Sequence, residues 1–180
     1  ITIFLEAASD TGGAAAYFDD VVLIAYPCPL KEELPPLPPR EEEVCVDWRE
    51  ERKPRPVGVE HKKNGFTFRS GTKEPLQVAV WGIPANQGKL QIPARGLQVE
   101  LPFAATRVIA YVALYTNQPI KMEAFDSTHK EIGEATTPAT QGVIQTLEVK
   151  GTDVTSLRFT VSKEGLLIRL CVYKQERKEK

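Results

Sequence analysis

Carboxylates are the residues of this chain whose type and number could do chemistry. Asp47, Glu100, Glu123 and Asp126 all fall on or beside strand-like segments. Glycoside hydrolysis needs two carboxylates about 5 to 9.5 Å apart, one of them in an apolar pocket. No spacing singles out a pair, and charges on the wet face of a strand are ordinary. His61 and His129, the two histidines of the chain, sit in the polar, turn-like stretches "EHKKNG" and "DSTHKEIG". Both read as solvated, and two histidines exclude a His-rich metal site. A nucleophile elbow, a P-loop, a dinucleotide fingerprint and HExxH are all absent. The chain reads as non-enzymatic.

Cysteines and aromatics offer the remaining chemistry. Cys28, Cys45 and Cys171 show no CxxC spacing, so neither zinc nor a disulfide scaffold is indicated. In strand phase, Cys45 points away from Val44, Val46 and Trp48, and Cys171 away from Leu170 and Val172. First and last strands of antiparallel sandwiches often lie side by side. A Cys45–Cys171 bridge is therefore one expectation, if the Cα atoms come within about 7 Å. Inert buried thiols are the other. Tyr111 and Tyr115 fall on the face opposite Val108, Ala110, Val112 and Leu114, about 13 Å apart along the strand. Ile109 and Ala113 share that face, and Phe125 has the matching parity on the next strand. Stacked aromatics of this kind suit an apolar sugar face, so Tyr111, Tyr115 and Phe125 are candidate binding residues. The same face could equally be covered by the domain itself or by another subunit.

Elements positioning these groups are strands. After Pro27, apolar residues nowhere recur at helical spacing through a window of ten. Short alternating runs separated by turn signals recur instead: "VCVDW", "FTF", "PLQVAVWGI", "KLQI", "LQVELP", "RVIAYVALY", "IKMEAF", "VIQTLEV", "SLRFTV" and "GLLIRLCVYK". The alternation places Val108, Ala110, Val112 and Leu114 on one face. It groups Leu157, Phe159 and Val161 on another, and Leu166, Ile168, Leu170 and Val172 on a third. The expected fold class is all-β: an antiparallel β-sandwich, jelly-roll or Ig-like, of about eight to ten strands. It spans residues 44–174 and is followed by a charged tail, 175–180. Before it, six prolines between Pro27 and Pro39 make residues 27–43 an extended proline-rich linker. A PxxP ligand for an SH3 domain is the sharper alternative for "LPPLPPR". Residues 1–26 read as a hairpin, which is marginal without a partner sheet.

Charge narrows the partners. With 23 basic against 24 acidic side chains the net charge is −1, so no basic footprint for nucleic acid exists. No apolar run approaches the roughly 18–20 residues of a bilayer span, so membrane insertion is not expected. The N-terminus lacks an initiator Met and a basic signal region, and reads as a processed product or part of a longer chain.

The stretch "FLEAASDTGGAAAYFDDVVLIAY" resembles the closing strands of jelly-roll carbohydrate-binding modules and related galactose-binding-like domains. That resemblance covers residues 1–26. It implies the end of a sandwich that is truncated or exchanged between copies. It also implies an Asp of the last strand, Asp19 or Asp20 here, that helps hold a structural calcium whose other ligands this sequence lacks. No other cofactor is expected. More loosely, "VIAYVALYTNQPIKMEAFDSTHKEIGEATT" resembles sandwich modules of bacterial and phage surface proteins, with His129 and Lys130 where a Gly commonly sits. Together these imply a non-enzymatic structural, assembly or adhesion module. It would lie outside the cell or on a particle surface, within a larger multi-domain or fibre-like protein, with other domains or copies of itself as partners. A carbohydrate-binding module using exposed aromatics is the alternative, and an accessory domain of a glycoside-active enzyme the second.

Overall fold

The computed structural model describes residues 41–82, 84–114 and 116–175. The expected hairpin 1–26, Asp19, Asp20, Cys28, Tyr115 and most of the linker lie outside the described residues. All eleven elements are antiparallel strands. They are β1 (Glu41–Asp47), β2 (Arg55–Gly58), β3 (Glu60–Lys63), β4 (Phe66–Ser70), β5 (Leu76–Ala79) and β6 (Lys89–Ile92). Next come β7 (Leu97–Leu114), β8 (Lys121–Phe125), β9 (Glu131–Thr136), β10 (Ile144–Thr160) and β11 (Gly165–Gln175). β1 thus begins inside the expected linker and β11 reaches into the expected tail. No helix among the described residues is long and apolar enough to cross a membrane.

Two long strands make the sandwich. "LQVELP" and "RVIAYVALY" join into the single strand β7, and "VIQTLEV" and "SLRFTV" into β10. The turn signals between them, Pro102 and "GTDV", mark bends rather than reversals. Leu97 pairs with Phe159, and Leu114 pairs with Gly165. Residues 159 and 165 are only six apart, so both ends of β7 lie near the β10–β11 connection. Eighteen residues drawn straight would span about 59 Å. β7 must therefore fold back on itself, carrying β10 with it. The bend sits where the β7–β10 register shifts between Lys150, Val154 and Ser156, beside Asp153 at φ 68°. Such bulges increase local twist and bend the strand.

One layer is β2–β5–β6–β11 followed by the C-terminal half of β7 and the N-terminal half of β10, with β1 beside the far half of β11. The other is β3–β4, the N-terminal half of β7, the C-terminal half of β10, then β8 and β9. Between them lies the core, including Trp48, Phe66, Phe68, Leu90, Val108, Val112, Met122, Phe159 and Leu170. Trp48 meets the Phe68 ring edge-on at 5.5 Å between centroids. Asn64 and Gly65, both at positive φ, close the β3–β4 hairpin as a two-residue turn of the kind that matches strand twist.

Alternation predicts the inward faces of β7 and of Leu157, Phe159 and Val161 as the structure has them. It fails in β11. A register shift between Leu167 and Arg169 sends Leu167, Leu170 and Val172 to the main core. Leu166 and Ile168 go to a second cluster with Ala79 and Ala113. One extra residue in a strand flips every side chain beyond it.

Candidate functional site

The connections β4–β5, β6–β7, β7–β8, β9–β10 and β10–β11 gather at one end of the sandwich. Ser70 pairs with Leu97, Thr160 with Lys121, Lys121 with Thr136, and Gly165 with Ile92. Three of these connections enclose a groove of about 840 Å³. The β4–β5 segment contributes Thr72, Lys73, Glu74, Pro75 and Gln77. Gln91, Pro93 and Arg95 come from β6 and its turn, and Lys163 and Glu164 from the β10–β11 turn.

Local chemistry explains why these segments hold their shape. The Gly71 N–H donates to the Gly96 carbonyl at 2.9 Å, and the Gly96 N–H to the Pro93 carbonyl at 2.8 Å. Thr72 N–H donates to Ser70 Oγ at 3.2 Å, and Glu74 N–H to Thr72 Oγ1 at 3.1 Å. A Cβ on Gly71 would press on the Arg95 carbonyl oxygen and lie 2.8 Å from that of Gly96. Glycine is needed there for close approach of two backbones.

The side chains of this groove have hydrogen-bonding capacity to spare. Among the described residues, Arg49, Arg52, Arg55, Arg69, Arg107, Arg158 and Arg169 each donate to a carboxylate, a carbonyl or a sulfur. Arg95 has no such partner, nor do Lys73, Lys163, Gln77 and Gln91. The groove thus presents amide donors and acceptors, cations, carboxylates and the apolar rings of Pro75 and Pro93. Such a set can hydrogen-bond several hydroxyls of one ligand while its apolar surface contacts ring carbons.

Residues singled out by the sequence lie elsewhere and apart. Tyr111 is half-buried and packs against Ala79, Ala113, Leu166 and Ile168, on the outer side of the β11-containing layer, and does not line the groove. Phe125 lies on β8, in the other layer, with the Arg158 guanidinium 5.3 Å from its ring centroid. The structure does not bring these two into one platform. Ile109 is 8% and Ala113 2% exposed. Trp81, on the β5–β6 connection, is exposed.

Cys45 and Cys171 face each other across β1 and β11 and are joined as a disulfide, with Cα atoms 4.1 Å apart. Arg169 directs Nε at Cys171 Sγ, 3.1 Å, and a terminal nitrogen at Cys45 Sγ, 3.3 Å. Glu43 lies beside the two sulfurs. Bridged sulfurs carry no thiolate, so this trio is not a metal-ligand set.

The four carboxylates weighed for glycosidic chemistry do not converge. Asp47 is bound by Arg49, whose guanidinium holds its carboxyl below the usual range. Glu100 pairs with Arg69. Asp126 accepts from Thr128 Oγ1 at 2.6 Å, from Thr128 N–H at 2.8 Å and from Lys130 N–H at 3.0 Å, closing the β8–β9 turn. Those donors lower its carboxyl as well. Glu123 is buried, 7% exposed, yet Arg158 at 2.6 Å and Lys121 at 3.1 Å keep it charged and its pKa low. A general acid needs the opposite shift.

The histidines differ from one another. His129 is exposed but sits at φ 62° in the β8–β9 turn, the conformation that explains a Gly at this place in similar hairpins. His61, expected in water, is half-buried with its ring 5.5 Å from that of Trp48. Burial pushes its pKa below the usual value.

No family model matches the chain, and neither does a curated protein. Solved structures match in strand arrangement. One is a family 6 carbohydrate-binding module, 15% identical, covering 73% of this chain and 93% of its own, at a TM-score of 0.40. Another is the CBM22-1 xylan-binding domain of Xyn10C from Paenibacillus barcinonensis, 14% identical, covering 74% and 95%, TM-score 0.44. A third is the low-affinity xylan-binding module CBM86 from Roseburia intestinalis, 16% identical, covering 56% and 89%, TM-score 0.35.

Proposed function

We propose that the described sandwich is a non-catalytic carbohydrate-binding module whose ligand lies in the groove between the β4–β5, β6–β7 and β10–β11 connections. One observation carries this: a groove of about 840 Å³ whose Gln77, Gln91, Lys73, Arg95 and Lys163 have no partner within the described protein. Polar side chains left free in a rigid concave site are available to a ligand rich in hydroxyls. Recognition here is by hydrogen bonds and proline rings rather than by the aromatic platform that the strand pattern suggests. Such a module works where polysaccharide is found, outside the cell or on a particle surface, attached to an enzyme or a fibre.

Affinity electrophoresis of the protein through gels containing individual neutral and acidic polysaccharides tests the reading. Retardation is expected in at least one gel. The double variant Gln77→Ala/Gln91→Ala should lose about tenfold in affinity, since each neutral hydrogen bond contributes about 0.5–1.5 kcal/mol, with its melting temperature unchanged. Free mobility in every gel overturns it.

An assembly or adhesion role is the second reading. The observation that favours it is the exposed apolar pair Val143 and Ile144, 45% and 47% exposed, at the start of β10. Sedimentation that depends on concentration, and is abolished by Ile144→Glu, would support it over a purely ligand-binding role.

A further inference from the structure

Resting on the reading of the groove as a glycan site, we propose that its ligand is an acidic saccharide carrying a single carboxylate, a uronate residue on an otherwise neutral glycan. Arg95 is the seat of that carboxylate. Three cations from three separate connections, Lys73, Arg95 and Lys163, line the groove with two carboxylates, Glu74 and Glu164. The described arginines elsewhere in the sandwich have a protein partner; Arg95 has none among the described residues. A guanidinium with its planar fork of donors free matches one carboxylate in two-point fashion, which a lysine does not do. Lys73 and Lys163 add positive potential on either side.

The two glutamates set the limit. They leave the groove one positive charge in excess, enough for one acid group and unfavourable for a ligand charged on every residue. Their oxygens accept from hydroxyls, which a neutral sugar unit supplies and a densely sulfated or uronylated chain supplies poorly. The groove thus selects by charge count as well as by charge sign.

The test is calorimetric titration with a glucuronosyl-substituted xylotriose and with the same oligosaccharide after its carboxyl has been reduced to the alcohol. The two differ in charge and little in shape. The native protein should bind the acid at least about tenfold more tightly, the size of one charge-assisted hydrogen-bonding contact. Adding salt should narrow the gap. Arg95→Gln should bring the two affinities within about threefold by weakening only the acid, and Lys163→Gln should do so in part. Equal affinity of the native protein for both forms overturns the acidic specificity and leaves the glycan reading standing. Preference for polygalacturonate over the singly charged oligosaccharide overturns the one-carboxylate limit. Failure of both forms to bind, with free mobility in every polysaccharide gel, overturns both readings.

Discussion

Two charged regions of the same sandwich are built on opposite terms. On the outer face of β8, β9 and β10, Glu123 accepts from Lys121 and Arg158, and Lys121 reaches on to Glu134 at 2.6 Å. Each of these four charges has its counterpart in the protein, and Arg158 also lies over Phe125. At the groove, Lys73, Arg95, Lys163, Glu74 and Glu164 are as close in number and sign, yet none of them pairs with another described residue. The difference lies in what carries them. Strand neighbours are set by register at about 4.5–5.5 Å, so opposite charges meet. Turn residues from three connections project toward shared space instead. Charges that the fold has not satisfied are the ones a ligand can.

The largest expected effect comes from a bond remote from the groove. Cys45 and Cys171 enclose a loop of 126 residues in sequence separation. Reducing the pair should gain two mass units in the intact protein and cost about 4 kcal/mol in denaturant unfolding. Groove affinity should stay unchanged below the new melting temperature; a fall in affinity would break the separation of the two regions.

Gly71→Ala attacks the groove frame directly. With backbone carbonyls in the way of a Cβ, about 3 kcal/mol should be lost in urea unfolding, together with glycan retardation. Retained retardation would show that the β4–β5 connection does not shape the site.

Arg158→Gln should cost about 1.5 kcal/mol, discounted because the guanidinium is half in water. Arg158 holds the Glu123 carboxyl below its ordinary 4.5. The stabilisation is therefore present above that value and lost as pH falls through the lower folded-state pKa. Acid titration of stability should show this loss in the native protein and less of it in the variant. An unchanged acid limb would mean that the network contributes nothing.

His129→Gly relieves a left-handed residue in the β8–β9 turn and should add about 1 kcal/mol by thermal unfolding, leaving binding as it was. The smallest effect belongs to Arg95→Gln. Its stability should stay within about 0.5 kcal/mol of native, against the clear loss at Arg158, because no partner among the described residues is left behind. A large loss there would show that Arg95 is a structural residue after all.

How much of this was legible follows from the kind of signal. Strand alternation carries local information, so the inward faces of Val108–Leu114 and Leu157–Val161 could be read directly. The outward phase of Cys45 and Cys171 could be read the same way. It broke at the β11 bulge after Leu167, where neighbours in space, not in sequence, decide the extra residue. Pro102 and "GTDV" looked like chain reversals because a bulged bend and a turn draw on the same residue types. Lys73, Arg95 and Lys163 sat in "TKEP", "PARG" and "SKEG", segments no different in composition from any solvated turn.

By itself, then, the sequence determined an all-β sandwich, the core-facing residues of Val108–Leu114 in β7 and of Leu157–Val161, and a nearly balanced charge without a nucleic-acid footprint. Those depend on periodicity and counts, which are properties of the chain taken a few residues at a time. Only the tertiary structure decided that β7 and β10 serve both layers, that Tyr111 and Phe125 lie on different ones, and that five charged turn residues share one groove. Each of these depends on which distant segments are brought together when the long ribbon bends, and no local pattern records where the bend will place them.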